Sequence, residues 1–421
     1  MAIINQIFAR EILDSRGVPT IEVSVGLDSG VWGTASVPSG SSRSKYEAFE
    51  MRDGDPKRFN GLGVLKAVSN VTQIIAPKIV GKSVFNQEEI DRLMLQMDGT
   101  EDKKNLGGNT ILAVSLAVAR AGSIEAKLPL YAYIAKLHKN DTSGLFIPTP
   151  MFNILNGGKH GAGNLDFQEY MVVPSKNKTY SQSLQIGVEI YYALKKILIA
   201  KNYIHSLGDE GGFAPDLYVN AEAFDVIIEA IRQTSYQLGT DVFLSLDAAA
   251  TSFYRGNGQY KIKDKPVNIS SDEFVEYYAD LVSQYRLLSL EDPLEEDDWD
   301  GWVTLTEKVG SQVFLVGDDL LSTNPKKLKT AIEKKAANSI LIKPNQVGTL
   351  TETIEVVNLA KSHNWKTVFS HRSGETNDSF IADLAVGLGA DYAKLGAPAR
   401  GERVAKYNRL LSIEYELYSH H

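Results

Sequence analysis

Six short apolar runs in the second half of the chain each end in a polar or ionisable residue. Asp241-Val-Phe-Leu-Ser-Leu leads to Asp247, Arg286-Leu-Leu-Ser-Leu to Glu291, and Val313-Phe-Leu-Val-Gly to Asp318. Ser339-Ile-Leu-Ile leads to Lys343, Lys366-Thr-Val-Phe-Ser to His371 and Arg372, and Tyr392-Ala to Lys394. The gaps between these ends are 44, 27, 25, 28 and 23 residues, room for one strand and one helix per step. That repeat predicts a βα barrel, whose chemistry gathers at the C-terminal ends of its strands. Three carboxylates, two lysines, a histidine and an arginine would then share one mouth. The mixture points to a hard metal ion, a proton-abstracting base and an anionic substrate.

The first part of the chain reads differently. Ile21, Val23 and Val25 alternate with Glu22 and Ser24, a strand period, and Asp28-Ser29-Gly30 marks a turn into another strand. From Lys66 to about Leu137 the pattern is helical, with Ile111-Leu-Ala-Val-Ser-Leu-Ala-Val-Ala suited to a buried helix. Strands followed by helices predict an α+β unit. The prolines of Ile147-Pro148-Thr149-Pro150 break the pattern. The expected division is therefore a smaller α+β unit over 1–140 and a barrel over 141–421.

Composition narrows the function classes. Lys plus Arg is 44 and Asp plus Glu is 52, a net charge of -8 that argues against nucleic acid as the main partner. There is no cysteine, so disulfides, thiolate metal sites and thiol nucleophiles are excluded. Arg10, Glu11, Asp14 and Arg16 interrupt any N-terminal signal sequence, and no run reaches the roughly 18 apolar residues of a membrane helix. A cytoplasmic protein without membrane insertion is expected. The terminal His420-His421 has the look of a tag stub.

The carboxylates carry the metal reading. Any one acid at a strand end reads more simply as a helix cap or a solvated loop residue. Asp247, Glu291 and Asp318 at the same position of three successive strands favour an all-oxygen site, better suited to Mg²⁺ than to zinc. Lys343, at the end of Ile340-Leu-Ile, is costly there unless paired or deprotonated, and a deprotonated lysine is a base. Arg372 and Ser373 suit a phosphate. Glu169 and Glu210, the latter within Gly208-Asp-Glu-Gly-Gly212, are expected to share a proton and so raise one pKa into the range of a general acid. The run Glu295-Glu-Asp-Asp-Trp-Asp300 reads as a solvated helix start.

At this point longer stretches become specific. The chain resembles the enolase family over essentially its whole length. The matching stretches are Ala9-Arg-Glu-Ile-Leu-Asp-Ser-Arg-Gly17, Glu47-Ala-Phe-Glu-Met-Arg-Asp53, Asn153-Ile-Leu-Asn-Gly-Gly158 with His160, Gln168-Glu169, Gly208-Asp-Glu-Gly-Gly212, Glu291-Asp-Pro293, Asp318-Asp-Leu320, Lys343 with Asn345-Gln346, Ser370-His-Arg-Ser-Gly-Glu-Thr376 and Gly396-Ala-Pro-Ala-Arg400. The resemblance implies reversible dehydration of 2-phosphoglycerate to phosphoenolpyruvate with two Mg²⁺. It implies that Asp247, Glu291 and Asp318 hold the first ion and that Ser39 helps hold the second. Lys343 would remove the C2 proton, and Glu210 supported by Glu169 would protonate the departing hydroxyl. Arg372 and Ser373 would grip the phosphate, Lys394 and Gln168 would face the carboxylate, and His160 and His371 would line the pocket. A homodimer or a larger ring of dimers is implied too.

The chain also departs from the family pattern. The expected mobile loop, 36–45, usually reads Ser-Gly-Ala-Ser-Thr-Gly, but here it is Ser39-Gly40-Ser41-Ser42-Arg43-Ser44. Val18, Ser252, Asn377, Leu395 and Gly401 also differ from the usual residues. None is a ligand or proton carrier in the reading above, and Arg43 is expected on a lid. Two rivals remain from sequence: another Mg²⁺-dependent α-proton abstractor on the same barrel, and a non-enzymatic adhesin or scaffold. The phosphate-gripping Arg372-Ser373 pair opposes the first, and the full set of reactive residues opposes the second as sole function.

Overall fold

The computed structural model describes residues 2–41, 44–139, 144–161 and 165–418. The expected lid residue Arg43, with Ser42, lies outside the described residues, as do Ala162, Gly163, His420 and His421. The expected break near residue 140 also falls outside them.

Strands β1 (Ile4–Leu13), β2 (Pro19–Leu27) and β3 (Trp32–Ser36) form an antiparallel sheet in chain order. The period-two pattern puts Ile21, Val23 and Val25 on one fully buried face. Helices follow: α1 (Leu65–Ser69), a π-helical turn at Asn70–Ile75, α2 (Ala76–Ile79), α3 (Gln87–Asp98), α4 (Gly108–Glu125) and α5 (Leu130–Leu137). Helix α4 packs on β2 and β3. Contact is so close that a Cβ on Gly33 would lie 2.2 Å from the Ala121 nitrogen. Buried on nearly every side, α4 needs the Ala, Leu and Val that made it recognisable.

The barrel strands are β4 (Thr149–Asn156), β5 (Glu169–Pro174), β6 (Val242–Asp247), β9 (Ser289–Glu291), β10 (Phe314–Gly317), β11 (Ser339–Ile342), β12 (Lys366–Ser370) and β13 (Tyr392–Lys394), closed in the order β10-β11-β12-β13-β4-β5-β6-β9. The short β7 (Gln259–Tyr260) and β8 (Ile269–Ser270) form a separate hairpin that takes up the long first gap. The helices of this part are α6 (Tyr180–Ala200), α7 (Asn220–Arg232), α8 (Ser271–Tyr285), α9 (Trp299–Val309), α10 (Pro325–Lys334), α11 (Pro344–Val347), α12 (Leu350–Ser362), α13 (Phe380–Gly387) and α14 (Gly401–Tyr418).

The βα repeat holds from β6 onward, but the barrel starts as β4-β5-α6-α7. Strand β5 runs antiparallel to both neighbours, while every other neighbouring pair is parallel. The reversal has a topological effect. Chain leaving β5 at the bottom climbs through α6, so the α6–α7 connection, which carries Glu210, lies at the mouth with the other strand ends.

Period two also builds the barrel's interior. Met151, Met171, Val173, Val316, Leu341, Val368 and Tyr392 form a buried cluster inside the ring. Two residues further toward the mouth on the same faces stand Asn153, Glu169, Asp318, Lys343, Ser370 and Lys394. An apolar floor therefore carries a polar layer. In the ladder Glu169 sits beside Asp247 and Asp247 beside Glu291.

Candidate active site

The polar layer converges. A narrow pocket is lined by residues from six of the barrel strands or their ends, among them Glu169, Asp247, Asp318, Lys343, His371 and Lys394. Glu210, His160, Gln168, Arg372, Ser373 and Ser41 complete its wall.

Lys394 is the hub of the acid side. Its Nζ lies 2.8 and 2.9 Å from the two oxygens of Glu291, 3.2 Å from Asp247 Oδ2 and 3.4 Å from Glu169 Oε2. Burial pushes Asp247 up to about 6 against the pull of Lys394, with Glu169 and Asp318 adding to the rise. Burial and Asp247 push Glu291 well above the carboxylate range. Gln168 reaches Asp247 Oδ2 at 3.4 Å. Lys394 thus meets the acids, and both it and Gln168 line the pocket.

Asp318 pairs with Lys343 through a short contact and accepts 3.0 Å from Gln346 Nε2. Despite burial, Lys343 and Lys394 hold Asp318 below its usual range. Burial draws Lys343 down, yet Asp318 outweighs it and the net position is above the ordinary lysine value. The lysine is therefore paired and charged in this arrangement, not already deprotonated. Asp292 supports the corner: it accepts the Asp318 and Asp319 backbone N–H groups at 2.9 and 2.7 Å. Oxygens of Asp292, Asp318 and Asp319 lie within 4.8 Å of one another. Asp292 holds φ at 39°, a strained value for a non-glycine residue.

The expected Glu169–Glu210 proton-sharing pair is corrected by His160, which lies between them. Its Nδ1 is 3.6 Å from Glu169 and 3.4 Å from Glu210. Despite burial, the two acids push His160 up to about 10. Burial raises Glu210, but His160 and His371 outweigh it and hold Glu210 well below the usual range. The proton thus resides on the imidazole rather than between two carboxyls. Asn153 Nδ2 donates to Glu210 Oε2 at 2.8 Å.

Arg372 is clamped by Glu47, with its two Nη atoms 2.9 and 3.2 Å from the Glu47 carboxylate, and it also reaches Asn345 at 3.2 Å. Ser373 Oγ donates to Ser41 Oγ and accepts from the Ser41 N–H, both at 2.9 Å. Ser39 is buried but does not line the pocket. Its hydroxyl receives Arg52 at 2.8 Å and donates to Glu50 at 3.1 Å, and its backbone pairs with Gly374. The structure thus brings together Asp247, Glu291, Asp318, Glu169, Gln168, Lys343 and Lys394, with Glu210, His160, His371, Arg372 and Ser373 on the same pocket. Ser39 remains a step behind it.

The run at 295–300 is a helix start with Asp297 and Asp300 exposed, as expected, but it is not solvated throughout. Asp298 caps α9, Glu296 is buried and accepts from Ser44 Oγ, and Asp297 takes Lys45 and the Tyr46 hydroxyl at 2.8 Å. The acids dock the last residues of the expected lid, Ser44 and Lys45, and Tyr46 after them.

Sequence reasoning missed Asn153, Glu47, Asp292 and Arg403. Asn153 had a signal, since it falls two residues after Met151 on the inward face. Glu47 and Arg403 had none, because each meets its partner across more than thirty residues of chain.

The donor set fits a hard divalent cation. Asp247, Glu291, Asp318 and Glu169 offer only oxygen, and their mutual repulsion is answered among the described side chains by two lysines. Buried Asn153 Oδ1 and His371 Nε2 make no hydrogen bond, as expected of walls shaped for a polar ligand. Residues 4–134 match the family model described as the enolase N-terminal domain, and residues 144–421 the one described as the enolase C-terminal TIM barrel domain.

Proposed function

The chain belongs to the enolase family, and from that premise we propose that it dehydrates 2-phosphoglycerate reversibly to phosphoenolpyruvate as a Mg²⁺-dependent hydro-lyase. One observation carries the reading. Lys343 at the end of β11 and Glu169, which starts β5 and shares His160 with the acid Glu210, stand on strands four places apart in the eight-strand ring, hence on opposite walls. The reaction needs a base and an acid on different groups, because proton and hydroxide leave adjacent carbons.

Asp247, Glu291 and Asp318 would hold one Mg²⁺; Ser39, whose hydroxyl is engaged by Arg52 and Glu50 behind the pocket, would have to move to help hold a second. Bound there, Mg²⁺ offsets the charge that builds on the substrate carboxylate when its α-proton is lost. Lys343 takes the C2 proton. The charges of Arg372 and Lys394 already oppose its ammonium form, and loosening of the Asp318 pair lowers its pKa further, so that the ammonium gives a proton to solvent and the neutral amine can accept the one from C2. On the facing wall Glu210, positioned by Asn153, delivers to the departing hydroxyl the proton stored with His160. Arg372 and Ser373 receive the phosphate once Glu47 yields part of the guanidinium fork. The apolar floor beneath excludes bulk water and strengthens each of these interactions.

The proposed setting is cytoplasmic, in a homo-oligomer. No helix among the described residues is long and apolar enough to cross a membrane. The test is ultraviolet absorbance of the enol product from 2-phosphoglycerate, with and without Mg²⁺. Mg²⁺-dependent absorbance is expected; none at saturating Mg²⁺ refutes the assignment.

A further inference from the structure

Arg403 has no exposed surface, and the reaction above gives it no task. It lies in the first turn of α14, yet its guanidinium reaches the pocket wall. Nη1 is 2.6 Å from His371 Nδ1 and 2.6 Å from the Arg372 carbonyl. Nη2 donates 2.7 Å to the Ser373 carbonyl and 3.2 Å to the Asp209 carbonyl. A guanidinium has donors only and does not lose its proton in a protein. Each atom facing it must therefore bring a lone pair. Four are oxygens, the three carbonyls and Glu402 Oε1 at 3.3 Å from Nε, and the fifth is a ring nitrogen, so His371 Nδ1 cannot carry hydrogen. The ring proton then lies on Nε2, which faces Glu210 Oε2 at 3.5 Å and lines the pocket.

The surroundings leave the ring little freedom. A Cβ on Gly396 would lie 2.9 Å from Arg403 Cδ, 2.9 Å from the Glu210 carbonyl and 3.0 Å from His371 Cε1. Gly396 (φ 91°) lets the chain leaving β13 pass between all three. The Ala397 N–H then ties the Glu210 carbonyl at 3.0 Å.

We propose that Arg403 is a positioning residue for the acid half of the reaction, fixing His371 as the neutral Nε2–H tautomer, which can only donate toward Glu210 and the departing oxygen. Two imidazoles beside one carboxylate thereby divide the work. His160 carries the transferable proton and His371 supplies an oriented N–H. Burial and Arg403 hold His371 below its ordinary value in spite of Glu210 and Glu169, whereas those two acids push His160 up to about 10. The inference rests on the proposed dehydration for its catalytic meaning, but the tautomer itself does not.

Protein labelled with ¹⁵N-histidine tests it, with the His371 signals identified by their loss in H371Q. Long-range ¹H–¹⁵N correlation reports which ring nitrogen is protonated. In the wild-type chain only the Nε2–H form is expected throughout the neutral range. R403M should show the other tautomer or a titrating imidazolium. Its dehydration should fall about 10–100-fold, with C2 proton exchange changed less than about threefold, the split expected when one side of an acid–base pair is disturbed. R403K keeps a donor and should restore the Nε2–H form. Nδ1–H in the wild-type protein overturns the proposal whether or not any variant folds, and so does an unchanged His371 spectrum in folded R403M. If the wild-type chain fails to turn over 2-phosphoglycerate, the reaction assignment falls, while the tautomer result still decides the role of Arg403.

Discussion

Replacing Lys394 by Met removes the one ammonium shared by Glu291, Asp247 and Glu169, at distances of 2.8 to 3.4 Å. Methionine fills similar volume, so the change is electrostatic rather than a cavity. Stripping one partner from a buried ion pair costs about 3–5 kcal/mol. At about 2.1 cal/mol/K per residue, the unfolding entropy of 421 residues is roughly 0.9 kcal/mol/K. The melting temperature at neutral pH should then drop by about 3–6 °C. The effect must also depend on pH in a stated direction. Asp247 and Glu291 already lie above their unfolded values, Asp247 at about 6, so each binds a proton more tightly folded than unfolded. Such a group contributes most in acid, and the contribution is lost as pH rises through the folded pKa. Losing Lys394 raises both pKa values further, so K394M should lie nearest to wild type in mild acid and furthest from it in mild base. Scanning calorimetry across that range with a chelator present reads both quantities. Equal melting temperatures in mild base, or a larger loss in acid, would show that the ammonium is not what balances these carboxylates. Added Mg²⁺ should recover part of the loss, since a cation can answer the same repulsion.

Three other outcomes follow from the same geometry. Lys343→Ala should abolish turnover, by at least the ~10²–10⁴-fold expected for a lost general base, and should stop exchange of the substrate's C2 proton with deuterated water; exchange at the wild-type rate would remove Lys343 from that role. Asp318→Asn and Glu291→Gln should each weaken Mg²⁺ binding in calorimetric titration, and unchanged binding in both would make these acids purely structural. Glu210→Gln should slow hydroxide departure more than C2 exchange, because Lys343 still performs the first step; equal losses would place Glu210 elsewhere.

The barrel could be read from the chain because its parallel strands are short, apolar and separated by regular intervals, and because each ends in a residue that has no business in a core. Lys343 and Glu291 announce themselves that way. What could not be read is whatever depends on pairing between distant segments. Nothing in Glu47 signals that it will clamp Arg372, and nothing in Ser44 to Tyr46 signals that the acids at 296 and 297 receive them. A charge run looks solvated until the segment that neutralises it is known. The same limit explains Glu169 and Glu210. Two acids were expected to contend for one proton, but their separation by an imidazole is a matter of three-dimensional placement. The reversal of β5 also escaped notice, since a fully buried strand reads the same in either direction.

That reversal separates the two halves of the site by the kind of chain that supplies them. Lys343, Asp318, Asp247, Glu291 and Lys394 arrive at the ends of outward-running strands, each followed by its own connection to the barrel's outer layer. Glu169 begins a strand that runs away from the mouth, and Glu210 and His160 come from connections between elements. The basic and metal-facing half is thus part of the ring itself, whereas Glu210 and His160 of the acid half are hung from segments whose length does not enter the ring's closure. Altering those segments leaves the strand count and stagger of the barrel untouched. A designer who wished to change the leaving group should work on residues 157–168 and 201–219, and leave the strand ends that activate the α-carbon as they are.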